Sequence, residues 1–291
     1  MPMAALPESL RTHDGLRLQL RAWPPAGGPS GPAGTVLLVH GLGEHIGRYG
    51  HVAAHLNRWG WRVAGFDLRG HGRSEGPRGG LGADDDLLRD LAIVIDAVRA
   101  ALPGPLLLLG HSMGGLVAAR FVAGSVGGSE PWSRPVEALV LSSPALAVPM
   151  SVGQRLLLAV AGRLAPNLGL GNGLDPAWIS RDAQVVQRYR DDPLVHDRIT
   201  PRLARFFVSG GRFVAQHAAR WRVPTLLLWA GADRCVAPAG SACFAAAAPQ
   251  AVVAAHEWRA LAHEIFNEPE QEQVFEVLGQ WLRNLELPTG Q

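Results

Sequence analysis

The chain has 291 residues, of which 47% are hydrophobic and 18% are charged, a balance that is typical of a soluble globular enzyme and argues against disorder. The net charge is only +2, all 27 basic residues are arginine, and no dense arginine block is present, so the sequence argues against a nucleic-acid partner. The two cysteines, Cys235 and Cys243, lack metal or redox spacing, and the N-terminus has no signal-peptide pattern, so we expect a reduced, cytoplasmic protein.

The first half of the chain predicts strands that alternate with helices. Asp14-Gly15 between two short alternating runs indicates a hairpin, and the Pro/Gly-rich segment 24–34 predicts a surface loop. Wholly apolar runs are typical of strands that are buried on both faces. The predicted elements are strands at 10–12, 16–23 and 35–39, a helix at 49–59, a strand at 61–66, a helix at 84–101, a strand at 106–109, a helix at 113–122 and a strand at 136–141.

The strand pattern disappears between residues 145 and 221. Residues 150–164 predict a helix, and Asp175-Pro176 and Thr200-Pro201 each place a capping residue before a proline that suits a first helical turn. Beyond this segment, we expect strands at 225–229 and 251–256 and a closing helix at 271–285. The division is therefore an α/β core at 1–144 and 222–291, with a helical cap at 145–221 inserted after the sixth strand.

Strands and helices in this alternation predict an α/β fold with a mostly parallel central sheet that helices cover on both faces. Ligands of such sheets bind at the carboxyl ends of the strands. The turns that follow Val39, Phe66 and Leu109 all lie at that edge, so we expect the functional site there.

Ser112 is the candidate nucleophile. The segment Gly110-His111-Ser112-Met113-Gly114 fits G-x-S-x-G, and it stands between a buried strand and a predicted helix, the context that gives this short motif its specificity. Glycines flank the serine because a sharp strand-to-helix turn brings two stretches of backbone too close for side chains. The free N–H groups of the following helix then face the reacting hydroxyl.

A serine hydroxyl needs an imidazole to remove its proton and a carboxylate to orient that imidazole. In this strand-turn-helix arrangement, the acid and then the histidine follow the serine along the chain. Asp233 comes just after the apolar run 225–229, at the same edge of the sheet, and His263 lies between the last strand and the closing helix. We therefore predict Asp233 as the acid and His263 as the base.

Other acids and histidines compete for these roles. Glu137 begins a strand and so lies at the wrong end of the sheet, whereas His256 falls within a strand and predicts a hydrogen-bonded structural histidine. Four acids of the insertion are typical of helix caps or solvated charges: Asp175, Asp191, Asp192 and Asp197.

An oxyanion needs two preoriented N–H donors. The Met113 N–H is one by its position after the nucleophile, and Leu42 is the predicted second donor, because Gly41 and Gly43 let its backbone approach closely. A glycine-rich loop can also cradle phosphate, but neither phosphate-binding glycine motif occurs here.

Polar residues of the two loops at this edge favour loop stabilisation over a role in positioning substrate. They are Glu44, His45, Arg48, Asp67, His71 and Arg73. An apolar stripe in the insertion suits equally an acyl chain or packing on the sheet. It consists of Val152, Leu156, Leu157, Val160 and Leu164.

With these motifs, the sequence resembles the α/β-hydrolase superfamily and, more narrowly, its monoacylglycerol lipase and lysophospholipase branch, over nearly the whole chain after Leu10. The most specific segments are HGLGEHIGRY at 40–49, DLRGHGRSEGPRG at 67–79, GHSMGG at 110–115, DDPLVHDR at 191–198, AGADR at 230–234 and AHE at 262–264. The resemblance implies the same triad of Ser112, Asp233 and His263 and the same oxyanion donors, Leu42 and Met113.

The resemblance also implies hydrolysis of a monoacylglycerol or another lipophilic ester beneath a mobile cap, without metal or cofactor, and it allows transient contact of the cap with membranes or lipid surfaces. A lysophospholipase, an aryl or alkyl esterase or an acyltransferase with the same triad is the alternative, and a non-enzymatic protein of this fold is the other class. The sequence carries no signal for acyl-chain length or oligomeric state.

Overall fold

The computed structural model describes residues 6–23, 34–127 and 130–286. Most of the predicted loop at 24–34 lies outside these residues. Within the described residues, ten strands form an eight-stranded sheet and a two-stranded sheet. The strands are β1 (Ser9–Arg11), β2 (Arg17–Trp23), β3 (Thr35–Val39), β4 (Arg62–Phe66), β5 (Leu106–His111), β6 (Ala138–Ser142), β7 (Leu170–Gly171), β8 (Arg198–Ile199), β9 (Thr225–Ala230) and β10 (Val253–Trp258).

Eight α-helices accompany these strands in the described part of the chain. They are α1 (Gly50–Arg58), α2 (Asp86–Ala101), α3 (Met113–Gly127), α4 (Val152–Leu164), α5 (Ala183–Asp191), α6 (Pro201–His217), α7 (Pro238–Ala247) and α8 (Gln271–Asn284), and short 3₁₀ helices at Ile46–Tyr49, Pro176–Trp178, Ala218–Arg220 and Ile265–Asn267 join them. The predicted helices of the core all form, with ends that differ by a few residues.

The large sheet has the strand order β1-β2-β4-β3-β5-β6-β9-β10. Its first two pairings are antiparallel and every pairing from β4 to β10 is parallel, which confirms the predicted mostly parallel sheet. Alternate residues of β3 face opposite layers: Leu37 packs in the layer of α2, α3 and α6, and Leu38 packs in the layer of α1 and α8. The apolar runs are therefore strands buried on both faces, as their composition requires.

Helix α3 packs very tightly on the central strands. A Cβ atom at Gly114 would lie 2.1 Å from the Val39 carbonyl oxygen, and one at Gly110 would lie 2.4 Å from the carbonyl oxygen of Gly114. Only glycine fits at these two positions, and their absence of side chains allows β5 to turn directly into α3.

The segment between β6 and β9 contains α4, α5, α6 and the strand pair β7–β8. The antiparallel pair, with Leu170 opposite Ile199, corrects the expectation of a purely helical insertion. Two-residue strands carry no periodicity that a sequence pattern reveals. Asp175 and Thr200 cap the elements that begin at Pro176 and Pro201, as predicted.

The apolar stripe of α4 does not pack on the sheet. Leu156, Leu157 and Leu164 are 68%, 67% and 82% exposed, and Val160 is also exposed. Of the two alternatives for this stripe, packing on the sheet is therefore wrong for these residues, and a role in receiving an acyl chain stays a prediction. No helix among the described residues is long and apolar enough to span a membrane.

The loop that follows β4 depends on a buried ion cluster. The guanidinium of Arg69 donates to both oxygens of Asp90, at 2.6 and 2.7 Å, and to Asp86 at 2.5 Å. Asp86 also accepts the backbone N–H groups of Gly82 and Ala83 at 2.8 Å. The cluster thus ties the loop at 67–80 to the first turn of α2.

We expect Arg69→Met to lower the free energy of unfolding by about 3–5 kcal/mol, because it leaves the Asp86 and Asp90 carboxylates buried without a counter-charge. Denaturant titration followed by circular dichroism measures this loss. Arg89→Met is the matched control, since Arg89 pairs with Asp85 at an exposed site and its loss should leave the transition in place. An unchanged midpoint for Arg69→Met would contradict the role of the cluster.

Candidate active site

Ser112 stands at the sharp turn between β5 and α3. Its φ of 52° lies in the left-handed region, which a side chain other than glycine adopts only where the surrounding structure enforces it. Two hydrogen bonds fix this backbone: the Ser112 N–H donates to the Ser142 carbonyl at 3.0 Å, and the Ala145 N–H donates to the Ser112 carbonyl at 3.0 Å. The turn therefore presents the Ser112 side chain at the carboxyl edge of the sheet.

Asp233 and His263 meet at the same edge, although 30 residues separate them in sequence. Asp233 follows β9, and its Oδ2 lies 2.6 Å from Nδ1 of His263. Its Oδ1 accepts the backbone N–H groups of Cys235 at 2.8 Å and Val236 at 3.0 Å, which fixes the carboxylate. His263 is 5% exposed, and with Nδ1 engaged, only Nε2 remains for a reacting group.

Ser112 and His263 line one cavity of about 350 Å³. The His263 ring lies 4.7 Å, between centroids, from the ring of His111, the residue immediately before Ser112. Among the described residues, the structure contains no hydrogen bond from Ser112 Oγ to His263. Such bonds are often long in free enzymes and tighten when substrate binds.

The charges around His263 favour its protonated form. Burial alone would lower the pKa of His263, but the charge and hydrogen bond of Asp233, with the charges of Glu264 and Glu44, raise it above the ordinary value of 6.5. Burial, with the adjacent His263, lowers the pKa of His111 to about 4. The two neighbouring imidazoles therefore differ in basicity, and His263 is the one suited to accept a proton near neutral pH.

The predicted oxyanion donors lie on either side of Ser112. Met113 is the first residue of α3, so its N–H has no partner within the helix. Leu42 and Ser112 line the same cavity, and in the described loops and turns the Leu42 N–H donates to no acceptor. Gly41 lies against Ser112, since a Cβ there would be 3.2 Å from the serine Cβ.

Two cavities meet at Ser112 and Leu42. The first, of about 350 Å³, is lined by charged and polar groups as well as His263. The second, of about 550 Å³, extends between α4 and α6 and is lined mainly by apolar residues, including Leu158, Phe207 and Val236. Ser112 therefore lies at the boundary between a polar space and an apolar space.

Two rival candidates, Glu137 and His256, do not line either cavity at Ser112. Glu137 pairs with Arg99 at 2.9 Å, and its carboxylate accepts the Leu106 N–H at the start of β5. His256 is exposed, and its ring lies tilted against Trp258 with the ring centroids 4.0 Å apart, so the expectation of a hydrogen-bonded structural histidine is wrong.

The four acids of the insertion have distinct surroundings. Asp175 caps the 3₁₀ helix at Pro176, and Asp191 accepts from Gln187. Asp192 hydrogen-bonds to His45 at 2.8 Å. Asp175, Asp192 and Asp197 all line the polar cavity, a position that their sequence pattern did not reveal.

The polar residues of the loops after β3 and β4 mostly hold those loops together. Asp67 accepts the N–H groups of Ile46 and Arg73 at 2.8 Å, and His40 Nε2 accepts the Leu68 N–H at 2.9 Å. The preference for loop stabilisation over substrate contact therefore agrees with the hydrogen bonds of Asp67.

Sequence reasoning missed the residues that close the site from the segment between β6 and β9. Tyr189 of α5 and Ile179 line the polar cavity, while Cys235 lines both cavities. Burial and the nearby Asp233 raise the pKa of the Cys235 thiol, which packs against Ile179, Val185 and Val186. Cys235 follows β9, and its place two residues after Asp233 was a sequence signal for a position near the site, although the sequence favoured a small buried hydrophobic role.

The fold and the Asp233–His263 pair beside Ser112 define a serine hydrolase of the α/β-hydrolase fold. Residues 30–270 match the family described as serine aminopeptidase, S33, and the chain belongs to that family.

Three similar proteins support this placement. The chain is 35% identical to a monoacylglycerol lipase of Mycolicibacterium smegmatis over 273 residues, which are 92% of this chain and 93% of that protein. It is 30% identical to phospholipase YtpA of Bacillus subtilis over 249 residues, 84% of this chain and 93% of that protein. The crystal structure of a Paleococcus ferrophilus monoacylglycerol lipase superposes with a TM-score of 0.80 at 34% identity, and the match covers 92% of this chain and 98% of that one.

We expect kcat/KM to fall on the acidic side with a pKa above 6.5, because His263 must be neutral to accept a proton and the acids around it raise its pKa. Asp233→Asn should shift this limb to lower pH and reduce kcat by about 10⁴-fold, since it removes the charge and favours the wrong tautomer. The pH dependence of ester hydrolysis measures both effects.

Asp182→Asn serves as the control for this comparison, since Asp182 is a half-buried cap of α5 that accepts the Gln184 N–H and is not among the groups that shift the pKa of His263. Its profile should coincide with that of the wild-type protein. An Asp233→Asn variant with the wild-type acidic limb would exclude His263 as the titrating base.

Proposed function

We propose that the protein hydrolyses monoacylglycerol-like or other lipophilic esters through an acyl-enzyme intermediate, with Ser112 as nucleophile, His263 as base and Asp233 as its orienting acid. The observation that carries this proposal is the meeting of an apolar and a polar cavity at Ser112. An ester with a hydrocarbon chain on one side of its carbonyl and a hydroxylated alcohol on the other fits this division. The names of the two monoacylglycerol lipases that the chain resembles agree with such a substrate.

The apolar cavity suits the acyl chain. Its walls come from α4 and α6, with Leu158 and Ala161 on one side and Ala204 and Phe207 on the other. Burial of methylene groups contributes about 0.8 kcal/mol each, so a long chain gains most of its binding free energy here. The polar cavity then receives the alcohol.

In the proposed mechanism, His263 Nε2 takes the proton of Ser112 as Oγ attacks the ester carbonyl. The N–H groups of Leu42 and Met113 stabilise the oxyanion, and such a donor can contribute roughly 3 kcal/mol. His263 then passes the proton to the alcohol oxygen as its bond to the acyl carbon breaks. Water, activated by the same imidazole, attacks the acyl-enzyme and releases the fatty acid.

The charge of the polar cavity favours an uncharged alcohol over the phosphate of a lysophospholipid. Its lining includes the carboxylates of Glu44, Glu264, Asp192 and Asp197, and Arg190 is the only arginine among its described lining residues. Excess negative charge repels a second anion in a site of low dielectric constant. We therefore place the monoacylglycerol above the lysophospholipid as substrate.

We further propose that residues 145–221 form a lid that docks on lipid surfaces. The exposed stripe of α4 lies on the helix that also walls the apolar cavity, because Leu157 and Leu158 line that cavity. A lipid surface is the occupant that suits an apolar face next to an acyl-chain site, since the substrate itself partitions into lipid. Cys235 and Cys243 are both free thiols, which fits the cytoplasm as the compartment.

Ser112→Ala should abolish monoacylglycerol hydrolysis while the protein stays folded, because no other group can form the acyl-enzyme. Turnover is measured by the release of glycerol, and a fluorophosphonate probe should label the wild-type chain once, at Ser112. Ser143→Ala is the matched control, since Ser143 is a nearby buried serine whose hydroxyl has no partner among the described residues. Activity that survives in Ser112→Ala would refute the proposal.

A substrate panel separates the alternatives to a monoacylglycerol. Monoacylglycerols, lysophospholipids and short nitrophenyl esters are compared at matched acyl-chain length. A lysophospholipid that is hydrolysed faster than the monoacylglycerol would favour the lysophospholipase hypothesis.

Replacing Leu156 and Leu164 together with glutamate should slow hydrolysis of monoacylglycerol in vesicles, because charge on the stripe opposes contact with lipid. Hydrolysis of a soluble short-chain ester should stay unchanged, since these exposed side chains do not line either cavity. The double variant Gln273→Glu and Gln280→Glu adds the same charge to α8, which packs on the opposite face of the sheet. Equal losses in both double variants would argue against docking through α4.

A further inference from the structure

A buried arginine joins two loops of the candidate site. Arg48 Nη1 donates to Glu44 Oε2 at 2.5 Å, and its two terminal nitrogens donate to the two oxygens of Glu264 at 2.7 and 2.8 Å. Glu44 lies in the loop after β3, and Glu264 directly follows His263. Tyr189 of α5 covers the guanidinium, which lies 4.8 Å from the centre of its ring. One cation thus contacts the loop of Leu42, the loop of His263 and the insertion.

The charges of this cluster do not balance. Glu44 and Glu264 are 3% and 5% exposed, and they share a single guanidinium. Their other donors are neutral: the Gly41 N–H and the Tyr49 hydroxyl bind Glu44 at 2.6 and 2.7 Å. Burial would raise the pKa of Glu44, but Arg48 and the nearby histidines lower it to about 2, so it is ionised.

Glu264 has its own hydrogen bonds that fix its position. Its Oε2 accepts from the Asn267 side chain at 2.8 Å, and its backbone N–H donates to the Ile179 carbonyl at 2.7 Å. The side chain is therefore rigidly placed beside His263.

The charges that raise the pKa of His263 are carboxylates, and the Arg48 guanidinium pairs with two of them, Glu264 and Glu44. His111 from β5 is uncharged near neutral pH because burial lowers its pKa to about 4, and the Cys235 thiol stays protonated because burial raises its pKa. Asp233 is the direct partner, and Glu264 and Glu44 are the further negative charges.

We propose that Glu264 is a positioning residue of the reaction. Through Arg48, it fixes the loop of His263 against the loop of Leu42, and the unbalanced negative charge that it shares with Glu44 stabilises the imidazolium that forms when His263 takes the Ser112 proton. The inference rests on the proposed function, because it assigns a role relative to the Ser112–His263 pair. Glu264 is then a second buried acid that acts on His263, in addition to Asp233, which contacts the imidazole directly.

Glu264→Gln keeps the shape of the side chain but removes its charge. The pKa of His263 should then fall, so the acidic limb of kcat/KM should move to lower pH by about one unit. At the pH of the plateau, kcat should drop by about tenfold, because one pKa unit corresponds to a factor of ten in the equilibrium between imidazole and imidazolium. The pH dependence of nitrophenyl ester hydrolysis measures both quantities.

Two further variants separate charge from structure. Glu264→Asp keeps the charge and should restore the wild-type limb. Glu268→Gln is the matched control, because Glu268 is a buried acid of the same loop that pairs with Arg181 and accepts the Ala262 N–H, but it is not among the groups that raise the pKa of His263. It should lower the unfolding temperature and leave the limb in place. A Glu264→Gln limb that coincides with the wild-type limb would overturn the inference.

Glu44→Gln is a second test of the inference if Glu264→Gln does not fold, since it removes the other carboxylate of the cluster. It should also shift the acidic limb of kcat/KM to lower pH. A limb that stays in place in this variant would likewise overturn the inference. Fluorophosphonate labelling of Ser112 against pH follows His263 without any substrate. Wild-type protein that neither labels nor hydrolyses esters defeats the proposed function, whereas normal turnover with unshifted limbs defeats only the role of Glu264.

Discussion

The approach of α3 to the central strands is the contact on which the site depends. The missing side chains of Gly110 and Gly114 let the helix begin against the Val39 carbonyl, and this closeness forces Ser112 into its left-handed conformation. Because α3 begins directly after Ser112, its first free N–H groups lie on the side of the Ser112 hydroxyl. The packing of a whole helix maintains the strained backbone of Ser112, so the geometry of the proposed nucleophile depends on the core.

The buried charges around His263 are not balanced. The acids Asp233, Glu44 and Glu264 surround His263, while Arg48 is shared by two of them. An enzyme that forms an imidazolium and an oxyanion together needs negative charge on the histidine side and N–H dipoles on the other side. Asp233 and Glu264 supply the negative charge on the histidine side, and the uncharged amides of Leu42 and Met113 lie near the serine, while Glu44 joins the two sides through its bond to the Gly41 N–H.

The sequence predicted the core and the three proposed catalytic residues because both depend on local signals. Buried parallel strands read as apolar runs, and Ser112 and Asp233 follow such runs at the same end of the sheet, whereas His263 follows the edge strand β10, most of whose residues are exposed. The insertion was harder to predict. The pair β7–β8 is two residues long, and the place of Tyr189 over Arg48 depends on how α5 meets the core, which no periodicity encodes.

The exposed apolar stripe of α4 is a second feature of the segment between β6 and β9 that the sequence pattern could not predict. An amphipathic pattern says that one face of a helix is apolar, but it does not say what covers that face. Polar contacts hold another part of the insertion to the core: His45 bonds Asp192 at 2.8 Å, and the His196 N–H bonds the Gly43 carbonyl at 2.8 Å. Because these contacts anchor the segment beside the polar cavity, α4 can present its leucines outward without losing its place above the apolar cavity. The part of the segment that contains α4 and α6 thus lines the apolar cavity, and the part around Asp192 and His196 lines the polar cavity. This division agrees with the proposed ester substrate, which has an apolar acyl chain and a polar alcohol.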